Sequence, residues 1–236
     1  MKNQKTLTAL ALLIAATGTA HASLTNVGNG LIYDSNINIT FTSDANLFKT
    51  LAPSINTIIL DTPLVDGHTM SAADFSTTSV GKMDWWGAQA WIGYLNKTNY
   101  DGHSNWSLPT TNLIKNSIAD TVGYFQTGSP LGELFYNELG GKKGENITVT
   151  NNANYNLFSN VASNSAFWTG KSNNTANIPS AWYFDYTNGS QGWIDKGHQF
   201  YVLPVFTTAV PLPSAVWLFG SGLMALLGFI KRRNIG

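Results

Sequence analysis

Two uncharged, apolar segments near the ends of the 236-residue chain confine the foldable polypeptide to the stretch between them. The first lies within residues 1–22, and the second covers residues 214–230. Long apolar runs without polar positions have no water-exposed face to offer a globular domain. We therefore expect a single domain over residues 23–208, which is long enough to bury a core of its own.

Residues 1–22 have the parts of a secretory signal peptide in the usual order. These parts are two basic residues, an apolar run and small residues at the cleavage position: Lys2 and Lys5, residues 7–16, then Ala20 and Ala22. We expect signal peptidase to cleave after Ala22 and the chain to be exported. The alternative is an uncleaved anchor.

The second apolar segment has the length of a short transmembrane helix. Residues 214–230 would span roughly 25 Å as a helix that rises about 1.5 Å per residue. Lys231, Arg232 and Arg233 follow at once. Basic residues remain on the cytoplasmic side of a membrane, so the preceding domain would lie outside the inner membrane.

The order of these C-terminal parts resembles the PEP-CTERM sorting signal. Pro211 and Pro213 form a Pro-x-Pro motif, the apolar segment follows, and the three basic residues end it, so that residues 209–236 form one unit. Leu212 stands where the family usually has Glu. The resemblance implies processing by an exosortase, a membrane cysteine protease-transpeptidase, and release to the cell surface or extracellular matrix. The alternative is a plain tail anchor.

Charge and cysteine content exclude several classes of function. The chain has no cysteine, so disulfides, a Cys nucleophile and Cys-ligated metals are impossible. Residues 23–208 contain eight lysines, no arginine and all thirteen acidic residues, which gives a net charge of −5. A domain of this charge is a poor ligand for nucleic acids, because their binding requires clustered cations.

Hydrophobic spacing predicts an α+β domain with two to three helices and a small antiparallel sheet. Helices are expected at residues 84–96, 111–122 and 131–139, the first of them capped by Asp84. Strands are expected at residues 30–34, 37–41, 166–168, 181–186, 191–194 and 200–206. A long loop is expected at residues 51–81. Asn188-Gly189 predicts a hairpin with a type I′ turn.

Several motifs resemble, in order, the domain called DUF1566 or Lcl C-terminal. They are Leu31-Ile32-Tyr33-Asp34, Met83-Asp84-Trp85, Asn105-Trp106-Ser107-Leu108-Pro109-Thr110, residues 181–189 and Tyr201-Val202-Leu203-Pro204-Val205. The resemblance covers most of residues 30–206 and implies a C-type-lectin-like fold. Ser107 and Leu203 stand where the family often has Arg, which puts a charge-mediated ligand role in doubt.

No catalytic motif links the polar residues, so we expect no enzyme. His68, His103 and His198 each follow a glycine and are interpreted as solvated loop residues, although three histidines could also meet as metal ligands. Paired carboxylates for glycoside hydrolysis could come from Glu133, Glu138, Asp185 or Asp195, without any signature. A secreted hydrolase is therefore the alternative from a different class.

Two kinds of binding site remain open. Asp101, Asn105, Asp185 and Asn188 offer oxygen ligands for calcium, or else simply form turns. Tyr183 and Trp193 are the aromatic residues expected to be exposed, where sugar rings could stack on them. The sequence thus predicts a surface or matrix protein that contacts extracellular polysaccharide, or a matrix component without a ligand.

Overall fold

A computed structural model of the protein describes residues 23–112, 121–164, 166–173 and 178–207. The predicted signal peptide, the sorting segment with its helix 214–230, and residues 113–120 of the predicted second helix lie outside this part. Among the residues described, no helix combines the length and the apolarity needed to cross a bilayer.

The described chain forms short strands and helices in alternating groups. The strands are β1 (Leu24–Gly28), β2 (Leu31–Asp34), β3 (Ile39–Thr42), β4 (Leu64–Val65), β5 (His68–Thr69), β6 (Ala166–Asn173), β7 (Ser180–Asp185), β8 (Ser190–Asp195) and β9 (Val205–Thr207). The α-helices are α1 (Leu47–Leu51), α2 (Ile55–Asp61), α3 (Trp85–Lys97) and α4 (Pro130–Glu133). The predicted mixture of helices and small antiparallel sheets is confirmed.

Two antiparallel sheets organise the domain. The first has the strand order β1-β2-β3-β9 and the second has the order β6-β7-β8. Because β9 pairs with β3, the last described strand returns to the first sheet. A parallel bridge between Phe167 and Tyr201 links β6 to the segment that leads into β9.

Both sheets have core on each face. Leu31 of β2 and Trp168 of β6 belong to a first hydrophobic cluster, and their neighbours in sequence, Ile32 and Phe167, belong to a second one on the opposite faces. This explains why all four residues of β3 are buried, although its sequence alternates apolar and polar residues. The prediction of a half-buried strand there is wrong, because alternation indicates only which side chains are apolar and not what covers the other face.

Helix α3 lies in the first cluster and confirms the strongest helix prediction. The carboxylate of Asp84 accepts a hydrogen bond from Gly87 N at 2.7 Å, which caps the helix at the predicted residue. Ala88, Trp91 and Leu95 are fully buried at helical spacing. This face fixes the helix against both sheets.

Helix α4 lies in the second cluster and continues as a π-helical turn over Leu134–Glu138. Ser129 caps it by accepting from Gly132 N at 3.1 Å. Leu131, Leu134 and Phe135 are fully buried. The prediction of a helix at residues 131–139 is confirmed, with a wider last turn than an α-helix has.

The long loop predicted at residues 51–81 is wrong. That stretch contains α2 and the β4–β5 hairpin. Ser54 caps α2 by accepting from Thr57 N at 3.3 Å, and Ile58 is fully buried. The sequence did contain a signal for the start of this helix, because Ser54 is a good N-cap residue and apolar residues follow it at helical spacing.

The hairpin between β7 and β8 is confirmed, but its predicted type I′ turn is wrong. Asp185 pairs with Ser190, so the loop between the strands has four residues. A type I′ turn would need positive φ at both Asn188 and Gly189, but only Gly189 has it, at 80°. The Asp185 carboxylate accepts from Thr187 N at 2.8 Å and from Asn188 Nδ2 at 3.0 Å. These side-chain bonds stabilise a longer turn than the dipeptide alone predicts. Of the predicted final strand at residues 200–206, only the end forms a strand, which is β9.

Candidate functional site

Exposed aromatic side chains are concentrated beside strand β8. Among the large apolar side chains that the described residues expose, the aromatic ones are Tyr124, Phe125 and Trp193, exposed by 38, 62 and 45%. The others are scattered aliphatic residues, which need no explanation. Exposed aromatic rings gathered in one region are typical of binding surfaces.

Backbone pairing brings the two parts of this region together. Gly123 and Gln191 exchange two backbone hydrogen bonds of 2.8 and 2.9 Å, so the segment around Gly123 lies along β8. The Gln191 side chain donates from Nε2 to Thr121 O at 3.1 Å. Trp193 is two residues from Gln191 on the same face of β8. Because the Gly123–Gln191 bridge is antiparallel, Tyr124 and Phe125 continue toward the β7–β8 turn, and Trp193 lies on the other side of the bridge.

Tyr136 and Lys143 complete the region. The ring of Phe125 lies 5.2 Å from that of Tyr136, whose hydroxyl donates to Gly189 O at 2.7 Å. The Lys143 Nζ lies 4.9 Å from the Tyr124 ring centroid and 5.9 Å from that of Phe125. We call Tyr124, Phe125, Tyr136, Lys143 and Trp193 the aromatic surface.

Phe125 occupies an unfavourable backbone conformation. Its φ of 60° lies in the left-handed region, which costs a non-glycine residue roughly 1–2 kcal/mol. At the same time its ring is mostly exposed, so burial of apolar surface offsets little of this backbone strain. A bulky, exposed side chain on a strained backbone points to a role outside the core.

The aromatic surface offers apolar ring faces together with one cation. Sites for polar organic ligands combine aromatic side chains with a few placed polar groups. A sugar ring has an apolar face of C–H groups and a rim of hydroxyls. The rings and the Lys143 ammonium group can therefore contact a ligand that has both an apolar face and polar groups at its rim.

The two aromatic residues predicted to be exposed differ in placement. Trp193 is exposed and lies in the aromatic surface. Tyr183 is half-buried, on the other face of the sheet, with its ring 4.9 Å from that of Phe200. Burial raises the pKa of the Tyr183 hydroxyl. Tyr183 is thus less exposed than expected.

The four predicted calcium ligands form contacts in two regions. Asp185 and Asn188 hold the β7–β8 turn, and the side-chain oxygen Oδ1 of Asn188 accepts from Ser190 N at 2.8 Å. Asp101 has a φ of 52° in a short 3₁₀ turn, while Asn105 donates to Thr207 O at 3.2 Å. These contacts are turn-forming, and a calcium role for the four residues stays a prediction.

A group of one partly exposed histidine and two buried aspartates lies at the start of α3. The ligand atoms of His68, Asp74 and Asp84 are within 4.8 Å of one another. His68 Nε2 lies 2.9 Å from Asp74 Oδ1, and its ring stacks on Trp86 at 4.2 Å. His103 and His198 are elsewhere, stacked on Phe206 and tilted against Phe200.

The electrostatics of this group favour a shared proton. Burial raises the pKa of Asp84 to about 7, and the charge of Asp74 and a hydrogen bond to it act in the same direction. Asp84 accepts from Gly87 N, while Asp74 accepts from Ser71 N at 2.6 Å. One imidazole and two carboxylates could also ligate a divalent cation. His68 and Asp74 are six residues apart and Asp74 and Asp84 are ten apart, and neither spacing is a recognisable metal-binding or catalytic motif, so the sequence alone did not predict this group.

Two of the four carboxylates considered for hydrolysis are buried, and Asp185 and Asp195 are partly exposed. Glu133 and Glu138 are 8 and 3% exposed. Burial raises the pKa of Glu133. Asp195 is occupied by the next turn, where it accepts from Gly197 N at 2.7 Å. A polymer could not approach the two buried glutamates in this conformation.

An open cleft of about 490 Å³ lies away from the aromatic surface. Its lining is mostly polar and aliphatic, and consists of Asn46, Lys49, Thr78, Ser79, Val80, Asn160, Val161, Ala162 and Tyr201. Tyr201 is the one aromatic residue of this lining, and it is buried. The cleft thus lacks exposed ring faces.

Comparison with known proteins gives one match. A family model described as the Lcl C-terminal domain matches residues 31–206, about three quarters of the chain. No curated protein and no solved structure matches the chain. The matched range begins at β2, ends within β9 and includes the whole aromatic surface.

Proposed function

This chain belongs to the Lcl C-terminal domain family, and from that premise we propose that it is an exported, non-enzymatic protein that binds extracellular polysaccharide. The aromatic surface is the binding site. The observation that carries the proposal is the exposed ring of Phe125 on a strained backbone, next in sequence to exposed Tyr124, with exposed Trp193 on the neighbouring strand β8. A lectin-like fold belongs to the same proposal.

The location of the protein is proposed from its sequence. The charged, apolar and small-residue parts of residues 1–22 support export, and the Pro-x-Pro motif with its apolar and basic continuation supports sorting by an exosortase. The mature protein would then reach the cell surface or matrix, where polysaccharide is the abundant ligand. Intact-mass analysis of the protein from its producing cell would reveal both trimmed ends.

Polysaccharide binding is tested with a glycan array and with immobilised polymers. We expect Trp193→Ala and Phe125→Asn each to weaken binding about 3- to 10-fold, the effect of losing one aromatic contact. Phe125→Asn should leave stability unchanged or raise it, because Asn tolerates positive φ. The matched control is Val149→Ala, which shortens a side chain that is 78% exposed at another surface.

Three other outcomes have distinct meanings. If Lys49→Ala abolishes binding and the aromatic variants do not, the site is the open cleft and the aromatic surface is wrong. If the unmodified protein binds no polymer, it is a matrix component without a ligand. Turnover of a polymer that Glu133→Gln abolishes would support the hydrolase.

A further inference from the structure

Three carboxylates are buried together where β2 meets α4 and its π-helical turn. Asp34 is fully buried, and Glu133 and Glu138 are nearly so. Burial, together with the charges of Glu138 and Glu133, raises the pKa of Asp34 to about 6, against a hydrogen bond from Asn36 N. Each carboxylate thus lies within electrostatic reach of another.

This acidic cluster has no cation among the described residues. The ion pairs in that part of the chain join His68, Lys97 and Lys196 to other acids. Glu138 accepts from Asn36 Nδ2 at 3.0 Å, and Glu133 accepts from Asn137 Nδ2 at 2.5 Å. Asp34 Oδ2 is buried without any partner in the described chain. Buried carboxylates that lack a cation are unfavourable.

Ser23 lies directly against the cluster. Its hydroxyl donates to Glu138 Oε2. Its carbonyl oxygen accepts from Ser35 N at 2.9 Å, and the next residue, Leu24, pairs with Asp34. The nitrogen of Ser23 is three bonds from its hydroxyl oxygen, and therefore within about 4 Å of it.

We propose that cleavage of the Ala22–Ser23 bond supplies the missing cation, because the new α-ammonium group of Ser23 forms ion pairs within the acidic cluster. This inference rests on the proposed export. In the cleavage, water is added across the amide: its hydroxyl joins the Ala22 carbonyl carbon and its hydrogen joins the Ser23 nitrogen. The proton from the resulting Ala22 carboxylic acid charges the amine.

Removal of the signal peptide then does more than release the domain. Before cleavage, Ser23 N is a neutral amide and cannot offset the charges of Asp34, Glu133 and Glu138. After cleavage, an ammonium group can donate hydrogen bonds to Glu138 and to the unpartnered oxygen of Asp34. The processed chain is therefore the more stable form, and maturation is coupled to folding.

The test compares two forms of the chain from Ser23 to Gly236 in mild detergent. One has a free amine and the other is acetylated at the Ser23 nitrogen, which removes the charge and little else. We expect acetylation to lower the unfolding midpoint at pH 7 by about 2–5 °C. The difference should shrink as the pH falls through about 6, where Asp34 becomes protonated, and should vanish above about pH 10, where the amine is neutral.

Two variants confirm the partner. In Glu138→Gln, acetylation should lower the midpoint by much less than in the unmodified chain. In Glu145→Gln, which removes an exposed acid, acetylation should have its full effect. Equal midpoints for the free and acetylated forms across the pH range would overturn the inference. Glycan binding, measured on the same samples, tests the proposed function separately.

Discussion

Replacing Asp84 with Asn should raise the free energy of unfolding at pH 8 by roughly 2–4 kcal/mol. With a pKa of about 7 in the folded state, Asp84 is harder to ionise there than in the unfolded chain, and Asn removes this cost. The amide keeps the geometry of the protonated acid. Its oxygen can still accept from Gly87 N, and its NH₂ group can donate to Asp74 as the carboxylic acid does. Asn is also as good a helix cap as Asp.

The sign follows from proton binding in the two states. An unfolded Asp84 loses its proton near pH 3.8, whereas the folded one keeps it until about pH 7. Between these values the folded state binds more protons, so the free energy of unfolding falls as pH rises. The stabilisation is complete below pH 3.8 and is lost by about pH 7. Asp34, with its pKa near 6, acts in the same direction in both proteins.

Urea unfolding of both proteins at pH 5 and pH 8 measures this effect. The difference between the two proteins isolates Asp84, because any contribution of Asp34 is common to both. Glu145→Gln, at an exposed acid, is the matched control and should change neither value by more than about 0.5 kcal/mol. A loss of stability in Asp84→Asn at both pH values would contradict the shared proton. It would instead indicate that the carboxylate charge is required, as it is in a metal ligand.

Trp168→Phe should destabilise the domain by about 3 kcal/mol, and Trp91→Phe by only about 1 kcal/mol. Both side chains are fully buried, and both variants remove the same volume. The Trp168 indole donates to Met83 O at 2.9 Å, whereas the Trp91 indole nitrogen has no partner in the described chain. One variant loses a buried hydrogen bond, and the other removes an unpaired donor.

Chemical denaturation at pH 7 compares these two variants directly. The slope of the free energy against urea should stay constant, so the midpoints report stability. Trp85→Phe is a useful third variant, because the Trp85 indole donates to Thr169 O at 2.9 Å and should behave like Trp168. Equal costs for Trp91→Phe and Trp168→Phe would mean that the hydrogen bond to Met83 adds nothing to the packing of the ring.

Local signals predicted the elements that depend on local physics. Asp84 before an apolar stripe located α3, and the Asn188-Gly189 dipeptide located the hairpin though not its turn type. The α2 helix was missed because residues 51–81 contain Pro53, Pro63 and Gly67, which favour loops, although Ser54 is a helix cap. The order of the short motifs predicted the family, since that order does not depend on any contact.

The candidate sites depended on contacts that no spacing encodes. Trp193 was predicted from its place beside the hairpin, but Tyr124 and Phe125 reach strand β8 only because Gly123 pairs with Gln191. The group at α3 forms because the β4–β5 hairpin carries His68 to Asp74 and Asp84. Likewise, Ser23 meets Glu138 across 115 residues.

The sequence alone determined the absence of cysteine chemistry, the acidic balance of residues 23–208 and the helix that starts at Asp84. These follow from composition and from interactions between neighbours in the chain, which are already present before folding. Tertiary structure alone decided which aromatic rings reach solvent and which carboxylates are buried next to one another or lack a cation. Burial and proximity change the energy of a ring or a charge by several kcal/mol, and both arise only when distant segments pack together.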